Sequence, residues 1–528
     1  MDFILKAFAV LELVLVILHS SAHALSRDEF PSDFVFGASA SAYQVEGAAN
    51  EDGRKPSIWD TFSHSGNGNM FVGDGDVVCD QYHKYKEDIQ LMANTGLEAY
   101  RFSISWSRLI PDGRGQVNPK GLQYYNNFIN ELISHGIEAH VTLYHWDLPQ
   151  TLEDEYGGWV SRRVVKDFTA YADVCFREFG DRVRHWTTVN EGNVHAAFGY
   201  DVGALPPQRC SSPIANCSRG NSSTEPYLAA HHMLLAHASA ARLYRKKYQG
   251  LQHGLIGFNL LPFGLLPQTN STEDITATQR LQDFLIGWFM NPFTFGDYPD
   301  IMKKNAGLRL PSFTQEESDL VRGSIDFLGI NFYYSFYVRD SPSSLLNHNR
   351  DYLTDISVVF ERVDLNDGFT GEVPITPSIF LGMLDSLRNA YGNIPIYIHE
   401  NGQQTLHNSS LDDWSRVNFL HAYIESLAVA LRSGLNLKGY FVWSFIDAFE
   451  LLVGYESSYG LYYVDLNDPN LRRQPKVSAE WYSNFLKGKP VDPKITKETQ
   501  KNASELSHNP SLRSATYSNQ NTFKLQSE

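Results

Sequence analysis

Two glutamates stand beside asparagines at the ends of short apolar runs. The strings are TVNE, which ends at Glu191, and IHENG, which has Glu400 at its centre. Two carboxyl groups held about 5–5.5 Å apart on opposite sides of one sugar carbon can break a glycosidic bond with retention, one as acid/base and one as nucleophile. The pair predicts this chemistry, provided that the fold brings the two glutamates together.

Eight short runs rich in apolar and β-branched residues alternate with segments of helical periodicity. This alternation predicts an α/β fold, a single parallel (β/α)8 TIM barrel with long loops over its C-terminal face, where barrel chemistry is found. An open doubly wound sheet would need a GxGxxG loop after the first run, which FGASAS from Phe36 lacks. The predicted strands are Phe34–Gly37, Ala99–Trp106, Glu138–His145, Trp186–Asn190, Leu255–Leu260, Phe327–Tyr333, Ile394–His399 and Lys438–Phe445.

The helical segments carry start and stop signals. Apolar residues recur at steps of three and four before Gly96, which is predicted to end that helix. Asn118 is predicted to cap a second helix that begins at Pro119. The long irregular segments between elements are predicted to be loops over the barrel mouth: Ser63–Val78, Leu205–Glu225 and Asp340–Pro377.

Length and composition narrow the class of protein. The chain has 528 residues, which fits one large barrel domain. Its aromatic content of 13% favours a pocket with flat apolar walls, of the kind that sugar rings need. Its net charge of -16 argues against binding to a phosphate backbone, which needs clustered Lys and Arg, so we predict no nucleic-acid partner.

Both ends of the chain differ in composition from the predicted barrel. Residues 1–24 combine Lys6, an apolar run and small residues, which predicts a secretory signal peptide and no stable membrane association. Residues 25–493 are predicted to form the barrel domain, and 494–528, rich in polar residues, a disordered tail. The predicted location is the secretory pathway, with an extracellular (apoplast) or vacuolar destination.

The chain has four cysteines. The spacing of Cys210 and Cys217 in a polar loop suits a small disulfide-closed loop, and Cys79 and Cys175 are predicted to be buried free thiols in helical contexts. No CxxC or His-rich pattern indicates a metal, and no cofactor is predicted. Glycosylation sequons occur at Asn216, Asn221, Asn270, Asn408 and Asn502.

The two glutamates need different surroundings to take different roles. A nucleophile must stay ionised, which calls for a cation or a donor such as Arg101 on the second predicted strand or Tyr333 on the sixth. An acid/base must keep its proton, which calls for desolvation or a neighbouring negative charge. Polar and aromatic residues past the ends of different strands are candidates for sugar recognition: Gln44, His145 with Trp146, Asn190, Trp443 and Glu450.

These residues lie in a pattern that resembles the retaining β-glucosidases of glycoside hydrolase family 1, particularly the secreted plant members. Nine strings carry the resemblance, in order, from about Phe34 to Lys487. They are FVFGASASAYQVEGA, YRFSISWSRLIP, HWDLPQ, TVNE, NFYYS, IYIHENG, GYFVWSFID, GLYYVD and SAEWYSNFL.

The resemblance implies a division of labour between the candidate residues. Glu191 would be the proton donor and base and Glu400 the nucleophile, with Arg101 and Tyr333 supporting Glu400 and Asn331 nearby. The substrate would be a small-molecule β-glucoside with an apolar aglycone; the oligomeric state is left open. The implied sugar subsite comprises Gln44, His145, Asn190, Tyr333, Glu400, Trp443, Glu450 and Tyr459. The Cys210 and Cys217 pair resembles the loop disulfide of the plant enzymes.

Four positions depart from the family pattern. Gly192 stands where the family usually has proline, His399 where it has threonine, Ala448 where it has asparagine, and Leu451 where it has a tryptophan that contacts the sugar. Loss of that indole removes a donor and a stacking surface, so glucose, fucose and galactose remain alternatives. The family's thioglucosidases typically lack the acid/base glutamate; Glu191 is present here, which favours O-glycosides.

Two alternative functions remain beside hydrolysis. In an acyl-glucose-dependent transglucosidase, which some plant relatives are, an acceptor hydroxyl of a secondary metabolite replaces water. A catalytically silent sugar-binding protein is the other alternative, and the intact carboxylate pair argues against it.

Overall fold

Eight parallel strands close into a barrel at the centre of the computed structural model, which describes residues 25–65, 73–363, 372–407, 410–451, 453–489 and 491. Each strand pairs with the next along the chain, and the last pairs with the first. The predicted (β/α)8 barrel is therefore confirmed. The strands are β1 Val35–Ser39, β2 Ala99–Ser103, β3 Glu138–Tyr144, β4 His185–Val189, β5 Leu255–Leu260, β6 Phe327–Asn331, β7 Ile396–Asn401 and β8 Leu437–Trp443.

Helices alternate with these strands along the chain. The α-helices are Ala42–Val45, Ile58–His64, Gln81–Thr95, Trp106–Leu109, Pro119–Ser134, Gln150–Tyr156, Arg163–Phe179, Gly192–Tyr200, Glu225–Lys247, Gln249–Gln252, Thr272–Gln282, Trp288–Phe295, Asp300–Ala306, Gln315–Val321, Tyr352–Ile356, Pro377–Tyr391, Trp414–Arg432 and Val477–Leu486. A π-helical turn spans Asp283–Gly287, and 3-10 turns span Arg27–Glu29, Gly158–Val160, Gly307–Arg309 and Pro342–Leu346. Within the described ranges, no helix combines the length and the apolar character that a membrane span needs.

The helix end predicted at Gly96 and the helix cap predicted at Asn118 are both present in the structure. Gly96 ends Gln81–Thr95 with a left-handed φ of 93°, a conformation that costs glycine little. The side chain of Asn118 accepts a hydrogen bond from the backbone N–H of Lys120 at the start of Pro119–Ser134. These caps fix where the helices return the chain to the barrel.

Some predicted boundaries are wrong. The second and sixth strands end at Ser103 and Asn331, earlier than predicted, and after the second strand Ser105 already caps the helix Trp106–Leu109. Asp340–Pro377 is not irregular throughout, since it contains a 3-10 turn, a helix and the strand Val358–Arg362. That strand completes a small sheet with Gly264–Pro267 and Ser335–Asp340 outside the barrel. Two shorter pairs join Thr405–Leu406 to Ser457–Ser458 and Tyr462–Val464 to Arg473–Pro475.

The cysteines behave nearly as predicted. Cys210 and Cys217 form a disulfide, and Cys79 and Cys175 are buried free thiols. Cys175 lies in a helix, whereas Cys79 lies before one, and its thiol donates to the carbonyl of Val45.

The terminal segments and two of the sequons lie outside the described residues. Residues 1–24 and 494–528 belong to that group, as do Asn408 and Asn502. The other three sequon asparagines are exposed: Asn216, Asn221 and Asn270.

Candidate active site

Strands β4 and β7 bring the two glutamates to the C-terminal end of the barrel. Glu191 follows β4 with a left-handed φ of 43° and immediately precedes the helix Gly192–Tyr200. Glu400 lies within β7, where the register to β6 shifts between Ile398 and Glu400. Both glutamates are buried. The left-handed backbone of Glu191 is an uncommon conformation for a residue other than glycine, and such conformations cluster at functional sites.

A hydrogen-bond network joins the two carboxyl groups. Arg101 donates through Nη1 to Glu400 Oε1 at 2.5 Å and through Nη2 to Asn190 Oδ1 at 2.6 Å. The amide of Asn331 donates to Glu191 Oε1 at 2.7 Å and to Asn190 Oδ1 at 3.1 Å. Both glutamates are thus held by residues that share Asn190 as a common acceptor.

Glu400 has more donors than Glu191. The hydroxyl of Tyr333 donates to Glu400 Oε2 at 2.9 Å, in addition to the bond from Arg101. Burial raises the pKa of Glu400, and Arg101, Tyr333 and Asn331 oppose that rise. Burial and the charge of Glu400 raise the pKa of Glu191 to about 8, against weaker opposition from Asn331 and Arg101. The proton that the pair shares therefore rests on Glu191 and the charge on Glu400.

Gln44 and Glu450 are brought together on one side of the mouth. The side-chain amide of Gln44 donates to the carbonyl of Phe449 at 2.8 Å, and the amide N–H of Phe449 donates to the carbonyl of Gln44 at 3.1 Å. These bonds fix the segment that carries Glu450. Burial and the nearby charge of Asp447 raise the pKa of Glu450 to about 8.

The aromatic candidates form a second wall. The rings of His145 and Trp443 stack with centroids 5.9 Å apart, and His145 Nε2 lies 3.1 Å from the amide of Asn190. Burial lowers the pKa of His145 well below its usual value, so the ring is neutral. The ring of Tyr459 meets Tyr333 edge-on with centroids 5.9 Å apart. Glu450 lies near Trp443 and Glu400, so the predicted catalytic and sugar-binding residues lie together at the barrel mouth.

One residue of this network was missed in the sequence. Asn259 on β5 accepts a hydrogen bond at 3.4 Å from the backbone N–H of Glu191 and donates at 2.9 Å to Asn331 Oδ1. It thereby sets the amide orientation of Asn331, whose other end donates to Glu191. Its signal was a single asparagine inside the apolar run FNLL, which one sequence does not distinguish from a buried structural polar residue.

The departures at Gly192 and His399 have packing explanations. A Cβ at Gly192 would lie 2.8 Å from Cζ of Phe258 and 3.1 Å from Cε1 of Phe289, so the two rings occupy the space of a side chain. The ring of His399 packs in the barrel interior, with its centroid 5.6 Å from that of Phe441. Leu451 is buried beside Glu450.

A parallel (β/α)8 barrel with two buried, differently supported glutamates at its C-terminal end is typical of retaining glycoside hydrolases. Comparison with known proteins gives the family. The model of "Glycosyl hydrolase family 1" matches residues 26–490, and the chain belongs to this family.

Relatives and a solved structure agree with this assignment. The chain is 55% identical over 501 residues to "Beta-glucosidase 11" of Arabidopsis thaliana, covering 90% of this chain and 96% of that protein. It is 53% identical over 467 residues to "Cyanidin 3-O-glucoside 7-O-glucosyltransferase (acyl-glucose)" of Delphinium grandiflorum, covering 88% and 91%. A rice β-glucosidase mutant, solved in a covalent complex with Glc, matches with a TM-score of 0.83 and 44% identity, covering 87% of this chain and 99% of that one.

Proposed function

We propose that this chain is a retaining β-glucosidase that removes terminal non-reducing β-D-glucosyl residues from O-glycosides with an apolar aglycone. The observation that carries the proposal is the unequal support of two buried glutamates. Glu400 accepts hydrogen bonds from Arg101 and Tyr333 and holds the negative charge. Glu191 accepts one hydrogen bond, from the amide of Asn331, and holds the proton. A nucleophile and a general acid need these opposite states.

In the first step Glu400 attacks the anomeric carbon while Glu191 gives its proton to the glycosidic oxygen. The bond between that carbon and the oxygen breaks, the aglycone leaves as an alcohol, and an ester joins the sugar to Glu400. Protonation matters because an alkoxide is a poor leaving group at neutral pH. Glu400 loses its negative charge when the ester forms, so Arg101 and Tyr333 can then donate hydrogen bonds to oxygens of the sugar.

In the second step Glu191, now a carboxylate, takes a proton from a water molecule that attacks the same carbon. The ester bond breaks, Glu400 regains its charge, and glucose leaves with its original β configuration. The rice relative solved in a covalent complex with Glc supports an intermediate of this kind.

Buried polar atoms at the mouth support recognition of a hydroxylated ring. Within the described residues, Nδ1 of His145, Oε1 of Glu450 and Nε of Arg101 are buried without a hydrogen-bond partner. Buried polar atoms are costly when unpaired, so they favour a ligand that carries several hydroxyl groups. The Trp443 ring beside them offers an apolar face.

Trapping of the ester intermediate tests the assigned roles. An activated 2-deoxy-2-fluoro-β-glucoside is expected to inactivate the enzyme, and peptide mapping should place the label on Glu400. E400Q is the control and should take up no label. A label on another residue would refute the assignment, and no turnover or labelling by folded protein with any β-glycoside would refute the enzyme proposal.

Transglucosylation is a second candidate because the Delphinium relative is named as an acyl-glucose-dependent glucosyltransferase. The acceptor hydroxyl would then attack the anomeric carbon in place of water, giving its proton to Glu191, and the glucosyl group would leave Glu400 as the ester bond breaks. Incubation with an acyl-glucose and a flavonoid acceptor separates the two functions. Free glucose as the main product supports hydrolysis, and a flavonoid glucoside supports transfer.

Sugar preference is proposed to depend on Leu451. Its side chain lacks the N–H and the flat face of an indole, so discrimination at the neighbouring hydroxyls rests more on Gln44 and Glu450. Comparison of kcat/KM for matched β-glucoside, β-galactoside and β-fucoside substrates tests the glucose preference. L451W should sharpen it, by about tenfold for one added hydrogen bond.

We also propose that the chain enters the secretory pathway and is glycosylated. The support is the composition of residues 1–24 and the exposure of the three described sequon asparagines. Expression in plant cells, N-terminal sequencing and enzymatic removal of N-glycans test both points. An intact N-terminus and an unchanged mass would contradict them.

A further inference from the structure

The N-terminal end of the barrel holds a cluster of side chains that the catalytic network does not use. Glu138 and His140 lie on β3, and His185 begins β4. His140 and His185 are register partners in the parallel pair of strands, which places their rings side by side. The rings stack with centroids 4.1 Å apart and an angle of 7° between their planes.

Three potential ligand atoms converge in this cluster. Nδ1 of His185 lies 2.7 Å from Oε1 of Glu138, and Nε2 of His140 lies 3.8 Å from the same oxygen. One ligand atom from each residue lies within 4.8 Å of the other two. Tetrahedral zinc with bonds of about 2.0–2.1 Å needs ligand atoms about 3.3 Å apart. The rings are parallel, so one imidazole must rotate about its Cβ–Cγ bond to aim both lone pairs at one ion.

His140 is the residue that most needs a partner. It is 2% exposed, and among the described residues neither of its ring nitrogens has a hydrogen bond. Burial lowers its pKa well below the usual value, and His185, His399 and Arg101 act in the same direction. A neutral imidazole with a free lone pair is the form that binds metal ions.

A shared proton explains only part of the cluster. A protonated His185 paired with Glu138 would account for their short contact. It would leave His140 buried and without a partner, which is costly for a polar ring. A metal ion between the three side chains would give each of them a partner, including Nε2 of His140.

The surroundings suit an ion that enters from solvent. The Glu138 side chain is 37% exposed and that of His185 15%, so the cluster reaches the surface on the side opposite the catalytic mouth. Nε2 of His185 lies 3.1 Å from the hydroxyl of Tyr397, a contact that leaves Nδ1 free toward Glu138. Such a second contact commonly fixes the ring of a metal-binding histidine.

We propose that Glu138, His140 and His185 form a binding site for a divalent transition-metal ion such as Zn²⁺ at the N-terminal end of the barrel. Two imidazoles and one carboxylate are ligands that zinc accepts, and water completes the coordination. The ion would join β3 to β4. Its role is stability, because this face of such barrels is remote from the chemistry.

The test uses the untagged full-length protein, stripped with a chelator and then titrated with Zn²⁺ by calorimetry. One equivalent is expected to bind and to raise Tm by about 2 °C or more at saturation. Co²⁺ in its place should give the visible absorption of a low-coordinate site. Hydrolysis of a chromogenic β-glucoside should not change, so failure here would leave the proposed function untouched.

Three variants make the test specific. E138Q should weaken Zn²⁺ binding at least tenfold, and H140F should abolish the Co²⁺ spectrum. H64N is the matched control, because His64, Asp74 and Asp76 form the second cluster of potential metal ligands in the described part of the chain, and the tightly bound equivalent should persist without His64. The partly exposed Glu138 decides the outcome if H140F fails to fold. No bound equivalent in the parent protein, equal binding by E138Q, or loss of binding in H64N would overturn the proposal.

Discussion

At the C-terminal end of the barrel two buried glutamates receive donors from Arg101, Tyr333 and Asn331. At the N-terminal end the ring of His140 has no hydrogen-bond partner within the described part of the chain. The same strands, β3, β4 and β7, run through both ends. Burial shifts pKa values in both places, but at the C-terminal end the neighbouring charges and directed donors decide which glutamate holds a proton, and the chemistry requires this assignment.

The largest expected effect comes from matched Glu→Gln changes at the two ends. E400Q removes the proposed nucleophile and should lower kcat by about ten-thousandfold or more. E138Q makes the same atomic change on another barrel strand and should alter kcat less than about twofold, because surface changes away from a site are mild. Steady-state assays on both variants check this. A large loss of kcat in E138Q would contradict the view that only the C-terminal end of the barrel takes part in catalysis.

E191Q should act through the leaving group. Loss of the proposed proton donor should lower kcat/KM by about a hundredfold to ten-thousandfold for an alkyl glucoside. The loss should shrink for an aryl glucoside whose phenol leaves without protonation. A plot of rate against leaving-group pKa measures this, and equal losses on both substrates would contradict the role of Glu191.

Asn259 tests whether the network positions Glu191. N259A removes the acceptor of the Glu191 N–H and the donor to Asn331, so kcat should fall about tenfold to a hundredfold. KM should change little. N193A is the control, because the amide of Asn193 bonds to the carbonyl of Leu261 and to neither carboxyl group. Equal kcat losses in both variants would indicate a general structural effect.

The smallest expected effect is the pH dependence. The pKa of Glu191 is raised to about 8, so its acid form is present below that value and kcat/KM should fall about tenfold per pH unit above it. The pKa of Glu450 is raised to about 8 as well. E191Q with an aryl glucoside separates the two groups. The alkaline fall should vanish there if Glu191 causes it and persist if Glu450 does.

The eight strands were predictable because each is a compact apolar run followed by a helix signal. The placement of Glu191 and Glu400 at the C-terminal end of the barrel was predictable because each stands at the end of such a run beside an asparagine. Strand Val358–Arg362 was missed because its half-buried edge position lies in a long polar segment, which gave no sign of its partner at Ser335–Asp340.

Asn259 and the histidine cluster could not be predicted for a related reason. His140 and His185 are 45 positions apart in the chain, and only the register of β3 with β4 brings their rings together. Asn259 looks like an isolated polar residue until Asn331 is placed beside it. Local sequence patterns predict helices and strands, whereas the contacts of His140 with His185 and of Asn259 with Asn331 depend on which strands are neighbours and on their register.

The packing around Gly192 has a consequence for the comparison of related sequences. The rings of Phe258 and Phe289 lie so close to position 192 that the Cβ of a proline there would contact both of them. The three positions should therefore vary as a set, with a larger residue at 192 accompanied by a smaller one at 258. G192P alone should lower Tm, and F258L in the same chain should recover part of it. Grafting the usual family residue into this position requires remodelling of its neighbours.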